Sequence, residues 1–152
     1  MMTKPLHIQI VSDFVCPWCF VGKRRLDQAL AKRPELDVAI ECLPFQLTPD
    51  MPREGRLRKE EYEEIFGGER AGVIMANMHD TGKEEGIAFG VSATAMSPNT
   101  LAAHCLLYQA SGNAAIDVNA LAERLFAAHH EACLDIGNFE VLAGIAEDSG
   151  MD

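Results

Sequence analysis

The stretch Val15-Cys16-Pro17-Trp18-Cys19-Phe20 decides the fold, because it places a Cys-x-x-Cys motif between a strand pattern and a helix pattern. Residues 6–11, which precede it, are apolar at alternate positions, as is typical of a β-strand. Residues 20–33, which follow it, contain no proline and place apolar side chains on one helical stripe. Pro17 suits the first position of this helix, where its missing N–H has no partner to lose. The sequence therefore predicts a strand that passes into a helix at the cysteine pair.

This helix start gives the two cysteines different chemistry. A thiolate at Cys16, the predicted N-cap, can accept hydrogen bonds from the free N–H groups of the first turn and lies at the positive end of the helix dipole. Lys23 and Arg24 add positive charge nearby, whereas Asp13 opposes it. We therefore expect the pKa of Cys16 to lie below the ordinary thiol value of about 8.5. Cys19, one turn deeper, can attack a mixed disulfide at Cys16 and close a short bridge, so Cys16 is the nucleophile and Cys19 the resolving thiol.

A Cys-x-x-Cys pair can also be half of a zinc site or a purely structural pair. A zinc site needs further ligands, and the remaining cysteines at 42, 105 and 133 are isolated from one another. A site made of Cys16, Cys19, Cys133 and a histidine at 129 or 130 is conceivable, but strand-turn-helix is not a zinc-knuckle context. Haem attachment would need a histidine at position 20, which is Phe20. The pattern therefore favours redox chemistry over metal binding.

Four stretches resemble a known family. Residues 12–26 (SDFVCPWCFVGKRRL) look like the active-site region of the DsbA-like oxidoreductases of the FrnE type, and residues 44–52 (PFQLTPDMP) resemble the loop after their second strand. Residues 97–104 (SPNTLAAH) and 135–142 (DIGNFEVL) resemble parts of their helical domain. The resemblance implies a thioredoxin fold with an inserted helical domain. Kappa-class glutathione transferases and hydroxychromene-carboxylate isomerases share that architecture but carry serine at the position of Cys16, so the intact pair favours dithiol chemistry.

The rest of the chain fits this scheme. Residues 36–43 alternate and predict a second strand, parallel to the first. The Pro- and Gly-rich loop at 44–56 follows at the edge of the sheet that carries Cys16. Phe45, Gln46 and Leu47 can therefore line the active site, or they can simply pack within the loop. Residues 87–89 are predicted to be extended, and helices are predicted at about 59–66, 69–85, 99–110, 116–133 and after Asn138. We take Phe14, Pro17, Trp18 and Phe45 as the surroundings of the cysteine pair.

The resemblance also implies more chain than this sequence contains. Family members return to the thioredoxin fold after the helical domain and supply a cis-proline loop, further strands and a closing helix, whereas all seven prolines here lie at or before Pro98. The predicted α/β fold is therefore a thioredoxin-like βαβ unit at 1–56, followed by a DsbA-type helical insertion domain at 57–152, with the C-terminal ββα part missing. Because a two-stranded parallel sheet is marginal when uncovered, we expect an exposed apolar face and a homo-oligomer that covers it.

The composition indicates which partners and which compartment to expect. The chain has 152 residues and a formal charge of −10, from 13 basic and 23 acidic residues, which disfavours nucleic acid and anionic membranes as partners. Its first residues lack the apolar core of a signal peptide, and an odd count of five cysteines fits a reducing compartment, so we expect a cytoplasmic protein. The expected redox group is the Cys16–Cys19 disulfide itself, without a metal or cofactor, and with glutathione as a redox partner.

The favoured function is a thiol–disulfide oxidoreductase that acts on thiols or disulfides of proteins or small molecules. Two alternatives remain open. One is glutathione-dependent isomerase or transferase chemistry on small molecules, which rests on analogy of fold alone. The other is a non-catalytic module that binds a partner chain.

Overall fold

The computed structural model describes residues 5–152. The first four residues of the predicted 1–56 unit lie outside the described part. The chain begins with a βαβ unit and continues mainly as helices. The elements in order are β1 (Leu6–Ser12), α1 (Pro17–Ala31), β2 (Val38–Pro44), β3 (Arg56–Leu57), α2 (Arg58–Phe66), α3 (Gly68–Glu84), β4 (Met96–Ser97), α4 (Leu101–Ser111), α5 (Val118–His130) and α6 (Phe139–Asp148).

The predicted βαβ unit is confirmed. Strands β1 and β2 pair in parallel, with Leu6 opposite Val38 and Ser12 opposite Pro44. Ile8, Ile10 and Cys42 are half-buried on the side that meets the helices, whereas Val11 is 60% exposed. The two strands form a sheet of their own among the described residues, and Val11, Phe45 and Leu47 leave apolar surface exposed around it.

Several helix boundaries lie where proline, glycine or a capping residue occurs in the sequence. Pro17 occupies the first position of α1, as predicted. Gly67 separates α2 from α3 with φ of +78°, a left-handed conformation that favours glycine. Asn138 caps α6, because its side chain accepts a hydrogen bond from the N–H of Glu140. These local predictions are confirmed because each depends on one or two residues and the backbone beside them.

The segment after α3 departs from the prediction. Residues 87–89 are not assigned to a strand, and instead lead into a loop against the end of α5. The N–H of Gly90 donates to the carbonyl of His130 at 2.7 Å, and a Cβ at Gly90 would lie only 2.2 Å from the carbonyl oxygen of Glu131. This contact replaces strand pairing. The two-residue strands β3 and β4, which pair antiparallel, carry no sequence signal strong enough to predict them.

The core is built around stacked aromatic rings from α1 and α5. The ring of Phe20 is fully buried and stacks on Phe126, with centroids 5.3 Å apart and planes 6° from parallel. His130 stacks on Phe20 at 5.8 Å, and Phe14 packs on Phe126 at 5.0 Å. The same cluster includes Leu121 and other side chains from the helices. The predicted boundary at 56/57 stays a prediction, and a single core extends across it.

A buried ion-pair cluster also joins α1 to α5. The Nζ of Lys23 lies 2.6 Å from the carboxylate of Asp27 and 3.1 Å from that of Glu123. The Nε of Arg24 donates to the same Glu123 at 2.6 Å. Because Lys23 is almost fully buried, its charge requires these carboxylates. The helix that carries the cysteine pair is therefore fixed to the helical part by packing and by charge.

Replacing Phe20 by alanine should lower the free energy of unfolding by about 3–5 kcal/mol, because it empties the centre of the aromatic stack. Phe139→Ala is the matched control, since that ring is 61% exposed and loses mainly a cation–π contact with Arg53, worth about 1 kcal/mol. Urea unfolding of both variants measures the difference. Equal losses of stability in the two variants would contradict this account of the core.

Candidate active site

The two cysteines occupy the predicted positions at the start of α1. A tight turn, in which the N–H of Cys16 donates to the carbonyl of Asp13 at 3.1 Å, carries the chain from β1 into the helix. Cys16 is the N-cap, with extended φ and ψ of −84° and 110°, and Cys19 is the third helical residue. Both thiols are free and half-buried. The pair therefore presents one sulfur at the mouth of the helix and a second one turn deeper.

The pKa values of the two thiols are shifted in opposite directions. The Cys19 thiol is the largest factor that stabilises the Cys16 thiolate, and with the N–H groups of Cys19 and Trp18 it lowers the pKa of Cys16 to about 6. Burial and the carboxylate of Asp13 oppose this shift. Hydrogen bonding to Cys16, followed by burial, raises the pKa of Cys19 far above its ordinary value. At neutral pH the pair therefore shares one proton, which Cys19 holds.

One part of the predicted electrostatics is confirmed and one is wrong. The N–H groups of Cys19 and Trp18 lower the pKa of Cys16, as predicted, although the Cys16 side chain makes no capping hydrogen bond in the structure. Lys23 and Arg24 do not stabilise the Cys16 thiolate as predicted. Lys23 pairs with Asp27 and Glu123, and Arg24 pairs with Glu123. Because Glu123 lies far along the chain, the short sequence distance of Lys23 and Arg24 from Cys16 gives no sign of these ion pairs. The low pKa of Cys16 therefore arises within the first helical turn.

Asp13 is the buried anchor of the active-site turn. Its carboxylate lies 3.1 Å from Nε2 of His104 on α4 and accepts the N–H of Leu47, in the loop after β2, at 2.8 Å. Burial alone would raise the pKa of Asp13, but hydrogen bonds from His104, the Leu47 N–H and Thr100 outweigh it, and its pKa is lowered. The sequence suggested only the effect of Asp13 on Cys16. Its structural partners lie too far along the chain to be inferred.

The other predicted surroundings of the pair divide into two groups. Trp18 is 49% exposed beside Cys16, and Phe45 is half-exposed, with its N–H bonded to the carbonyl of Ser12 at 3.2 Å. Both can contact a substrate. Phe14 is buried against His104 and lines a small cavity of about 20 Å³ behind Cys19, so it supports the site from within rather than forming its surface. Pro17 shapes the helix start.

Two adjacent histidines of α5 contribute to the same region. Nε2 of His130 lies 2.8 Å from the carbonyl of Phe14, two residues before Cys16. Burial lowers the pKa of His130 to about 3 and that of His129 well below its ordinary value, and the charge of Arg58 adds to both effects. Both rings are therefore neutral at pH 7. They act as buried structural groups, in agreement with their place on the inner stripe of a helix.

The residues that the structure describes contain no group of three or more His, Cys, Asp or Glu side chains arranged to hold a metal ion. The alternative site of Cys16, Cys19, Cys133 and a neighbouring histidine is therefore not assembled. None of the helices within residues 5–152 is long and apolar enough to cross a membrane.

Comparison with known proteins now identifies the fold family. The model of the DsbA-like thioredoxin domain matches residues 7–152. The chain belongs to the DsbA-like thioredoxin family. Within this family, the predicted α/β fold, with a thioredoxin-like βαβ unit and a large helical part, is confirmed. The finer assignment to the FrnE type stays a prediction.

Relatives of this DsbA-like chain cover nearly all of it. It is 25% identical to the uncharacterized protein YwbO of Bacillus subtilis over 148 residues, which is 97% of this chain and 68% of YwbO. It superimposes on the crystal structure of a probable DsbA oxidoreductase, SCO1869 from Streptomyces coelicolor, with a TM-score of 0.83 and 26% identity. That match covers 97% of this chain but only 64% of SCO1869.

A 2-hydroxychromene-2-carboxylate isomerase matches with a TM-score of 0.69 and 13% identity, over 97% of this chain and 67% of the isomerase. At that identity the likeness concerns the fold alone.

Removing the thiol of Cys19 should raise the pKa of Cys16 above about 6, because that thiol is its largest stabilising partner. Cys19→Ala should give the larger rise and Cys19→Ser a smaller one, since serine keeps a hydroxyl donor. Alkylation rate against pH and thiolate ultraviolet absorbance both measure the pKa. An unchanged value in Cys19→Ala would contradict the shared-proton account.

Asp13→Asn should lower both the free energy of unfolding and the pKa of Cys16. Loss of the buried charged hydrogen bonds should cost about 1.5–3 kcal/mol, and loss of the negative charge favours the thiolate. Because the pKa of Asp13 is lowered in the folded state, its contribution is complete above about pH 3.9 and is lost as the pH falls further. The difference in stability between the parent chain and Asp13→Asn should therefore shrink in acid, whereas exposed Asp50→Asn should behave like the parent.

Proposed function

We propose that this chain is a thiol–disulfide oxidoreductase in which Cys16 is the nucleophile and Cys19 the resolving thiol. The observation that carries the proposal is the shared proton: Cys16 has a pKa of about 6 at the mouth of α1, and Cys19 retains its proton one turn deeper. A thiolate that exists at neutral pH and is half-exposed can attack a disulfide, which a protonated thiol cannot.

The reaction proceeds by two exchanges. The Cys16 thiolate attacks one sulfur of a substrate disulfide, forms a mixed disulfide and releases the first substrate thiolate. Cys19 then loses its proton, attacks the Cys16 sulfur and releases the second substrate thiolate, so the substrate is reduced and Cys16–Cys19 becomes oxidised. The reverse sequence oxidises a dithiol. The low pKa of Cys16 stabilises the reduced form, which favours an oxidising pair.

The proposal extends to the setting of the reaction. We place it in the cytoplasm, with protein or small-molecule thiols and disulfides as substrates and glutathione as redox partner, and without a metal or other cofactor. The composition argument against nucleic-acid and membrane partners supports this setting. The apolar surface at Val11, Phe45 and Leu47 supports self-association over the two-stranded sheet.

The isomerase or transferase alternative has weaker support. The likeness to the 2-hydroxychromene-2-carboxylate isomerase concerns the fold alone. A resolving thiol hydrogen-bonded to Cys16 has a defined role in disulfide exchange, but not in isomerisation. We therefore retain disulfide exchange as the function that the geometry supports best.

Equilibration of the purified chain with glutathione buffers should convert Cys16 and Cys19 together into one intramolecular disulfide. Mass analysis after alkylation measures the fraction oxidised, and the buffer at the midpoint gives the potential. Cys105→Ser is the control, because that thiol is exposed on α4 and outside the pair. In the Cys19→Ser variant, Cys16 should instead accumulate as a mixed disulfide. If both cysteines stay free in oxidising buffer, the redox function is wrong and a non-catalytic binding module becomes the better reading.

A further inference from the structure

A cavity of about 380 Å³ lies between α2, α3 and the loop that follows α3, and its lining includes no residue of the cysteine site. The wall that α3 and the loop supply is apolar, with Ala71, Met75 and Val91 among its residues. The wall that α2 supplies carries polar groups, of which Arg58 and Tyr62 are about one helical turn apart. An apolar cavity with a few polar groups on one side is the usual form of a site for a small ligand.

Arg58 is anchored in the cavity wall but keeps an unused donor. Its Nη2 donates to the carbonyl of His129 at 3.0 Å and lies 3.2 Å from Nδ1 of the same residue, which fixes the guanidinium. Its Nε is buried without a partner. Its Nη1 also makes no hydrogen bond within residues 5–152, but this atom is not buried, so it can meet a ligand. A guanidinium held in this way is oriented in advance to donate to an anion.

Tyr62 offers a second donor beside Arg58. Residues four apart are neighbours on one helix face, and both of these residues line the cavity. The Tyr62 hydroxyl makes no hydrogen bond within the described part of the chain, and it is not buried. Burial of the ring raises the pKa of the phenol, so the hydroxyl keeps its proton and can donate it to a hydrogen bond. Two donors on adjacent turns match the two oxygens of one carboxylate.

The charge of Arg58 has no counter-ion. Among residues 5–152, no carboxylate lies within salt-bridge distance of it, although the chain as a whole carries a charge of −10. The other charged lining residues, Lys59 and Glu63, lie 3.9 Å apart and offset each other. The ring of His129 is neutral, because burial lowers its pKa well below the ordinary value. One uncompensated positive charge suits a carboxylate, whereas a phosphate, with a charge of about −2, would leave an excess of negative charge beside it.

We propose that this cavity binds a small monocarboxylic acid, with its carboxylate on Arg58 and Tyr62 and its apolar body against the wall that α3 and the loop supply. The charge-assisted hydrogen bonds select the acid over its neutral amide, and burial of an aliphatic or aromatic body supplies the rest of the affinity. This binding site goes beyond the proposed redox function and does not depend on it, because the cysteine pair takes no part in the binding.

The first test is a titration of the whole chain with octanoate and with 4-butylbenzoate, each compared with its neutral amide. Methyl NMR of the methionines follows the binding. The Met75 methyl should shift saturably, whereas the methyl of Met51, which is buried outside the cavity, should not. At least one acid should bind about tenfold more tightly than its amide. No saturable shift with either acid, or equal affinity for acid and amide, would overturn the proposal.

Arg58→Gln should reduce the affinity for the acid about tenfold and that for the amide less than about twofold, because only the acid loses an ionic partner. Tyr62→Phe keeps the ring and should reduce the affinity for the acid about threefold. Arg56→Gln is the matched control, since it removes the same charge from an exposed neighbour that is already paired with Glu64 at 2.6 Å. It should leave both affinities unchanged. An equal loss in Arg56→Gln would mean that the overall charge of the chain binds the acid, and the assignment to the cavity would be wrong.

Filling the cavity is an independent test that leaves Arg58 in place. Gly72 lines the cavity from α3, and a Cβ there would meet no atom within 4 Å. Gly72→Leu should therefore fold, and its side chain should abolish the binding of both acid and amide. Gly144→Leu, on α6 and equally open at the Cβ position, is the control and should bind the acid normally. Unchanged binding in Gly72→Leu would locate the acid elsewhere and reject the site, and this variant decides if Arg58→Gln does not fold.

The outcome is separate from that of the redox test, because none of these ligands contains sulfur. Disulfide formation between Cys16 and Cys19 in glutathione buffers, without carboxylate binding, would reject the cavity site alone. Carboxylate binding by a chain whose two cysteines stay free in the same buffers would reject the redox function and retain the site.

Discussion

The buried carboxylate of Asp13 is the constraint on which the rest of the site depends. It is 2% exposed, and a buried charge is tolerated only when hydrogen bonds replace the water that it loses. His104 from α4 and the N–H of Leu47 from the loop after β2 supply those bonds, while the backbone carbonyl of Asp13 holds the N–H of Cys16. Through its carboxylate and its backbone carbonyl, this one residue thus joins the helical part, the loop that carries Phe45 and the turn before α1. The position of Cys16, the proposed nucleophile, follows from satisfying the charge of Asp13, three residues before it.

The helical part does more than cover the βαβ unit. Phe20 from α1 stacks on Phe126 of α5, and Lys23 is neutralised by Glu123 of the same helix. His130 of α5 adds a contact to the carbonyl of Phe14, so α5 holds both the helix that starts at the cysteines and the turn before them. Burial keeps that histidine neutral, and a neutral ring can fill the core beside Phe20 without a counter-ion. The orientation of the cysteine pair is therefore a property of the whole core rather than of two strands and one helix.

What the sequence could predict was local. The positions of Cys16 and Pro17 at the helix start, the cap at Asn138 and the break at Gly67 depend on neighbouring residues, and the structure confirms each. The parallel pairing of β1 and β2 followed from alternation and from the helix between them. The partners of Asp13, the ion pairs of Lys23 and Arg24 with Glu123, and the packing of Gly90 on α5 join residues 34 to 100 positions apart. A single chain gives no pattern for such pairs, which is why the charges assigned to Cys16 were wrong.

The source of the acidity of Cys16 has a consequence for the proposed redox function of the pair. Because Lys23 and Arg24 are committed elsewhere, the stabilisation of the thiolate comes first from the Cys19 thiol and then from two backbone amides, against the opposition of Asp13. The Cys19 hydrogen bond exists only while the pair is reduced, since oxidation removes its proton and joins the two sulfurs. An interaction that stabilises only the reduced pair shifts the redox potential by the full free energy of that interaction. A fixed cation near the pair would, in addition, attract any anion or anionic substrate that approaches. In the proposed redox function, the oxidising tendency of the pair is therefore set mainly by the pair itself, while Lys23 and Arg24 hold the helices together.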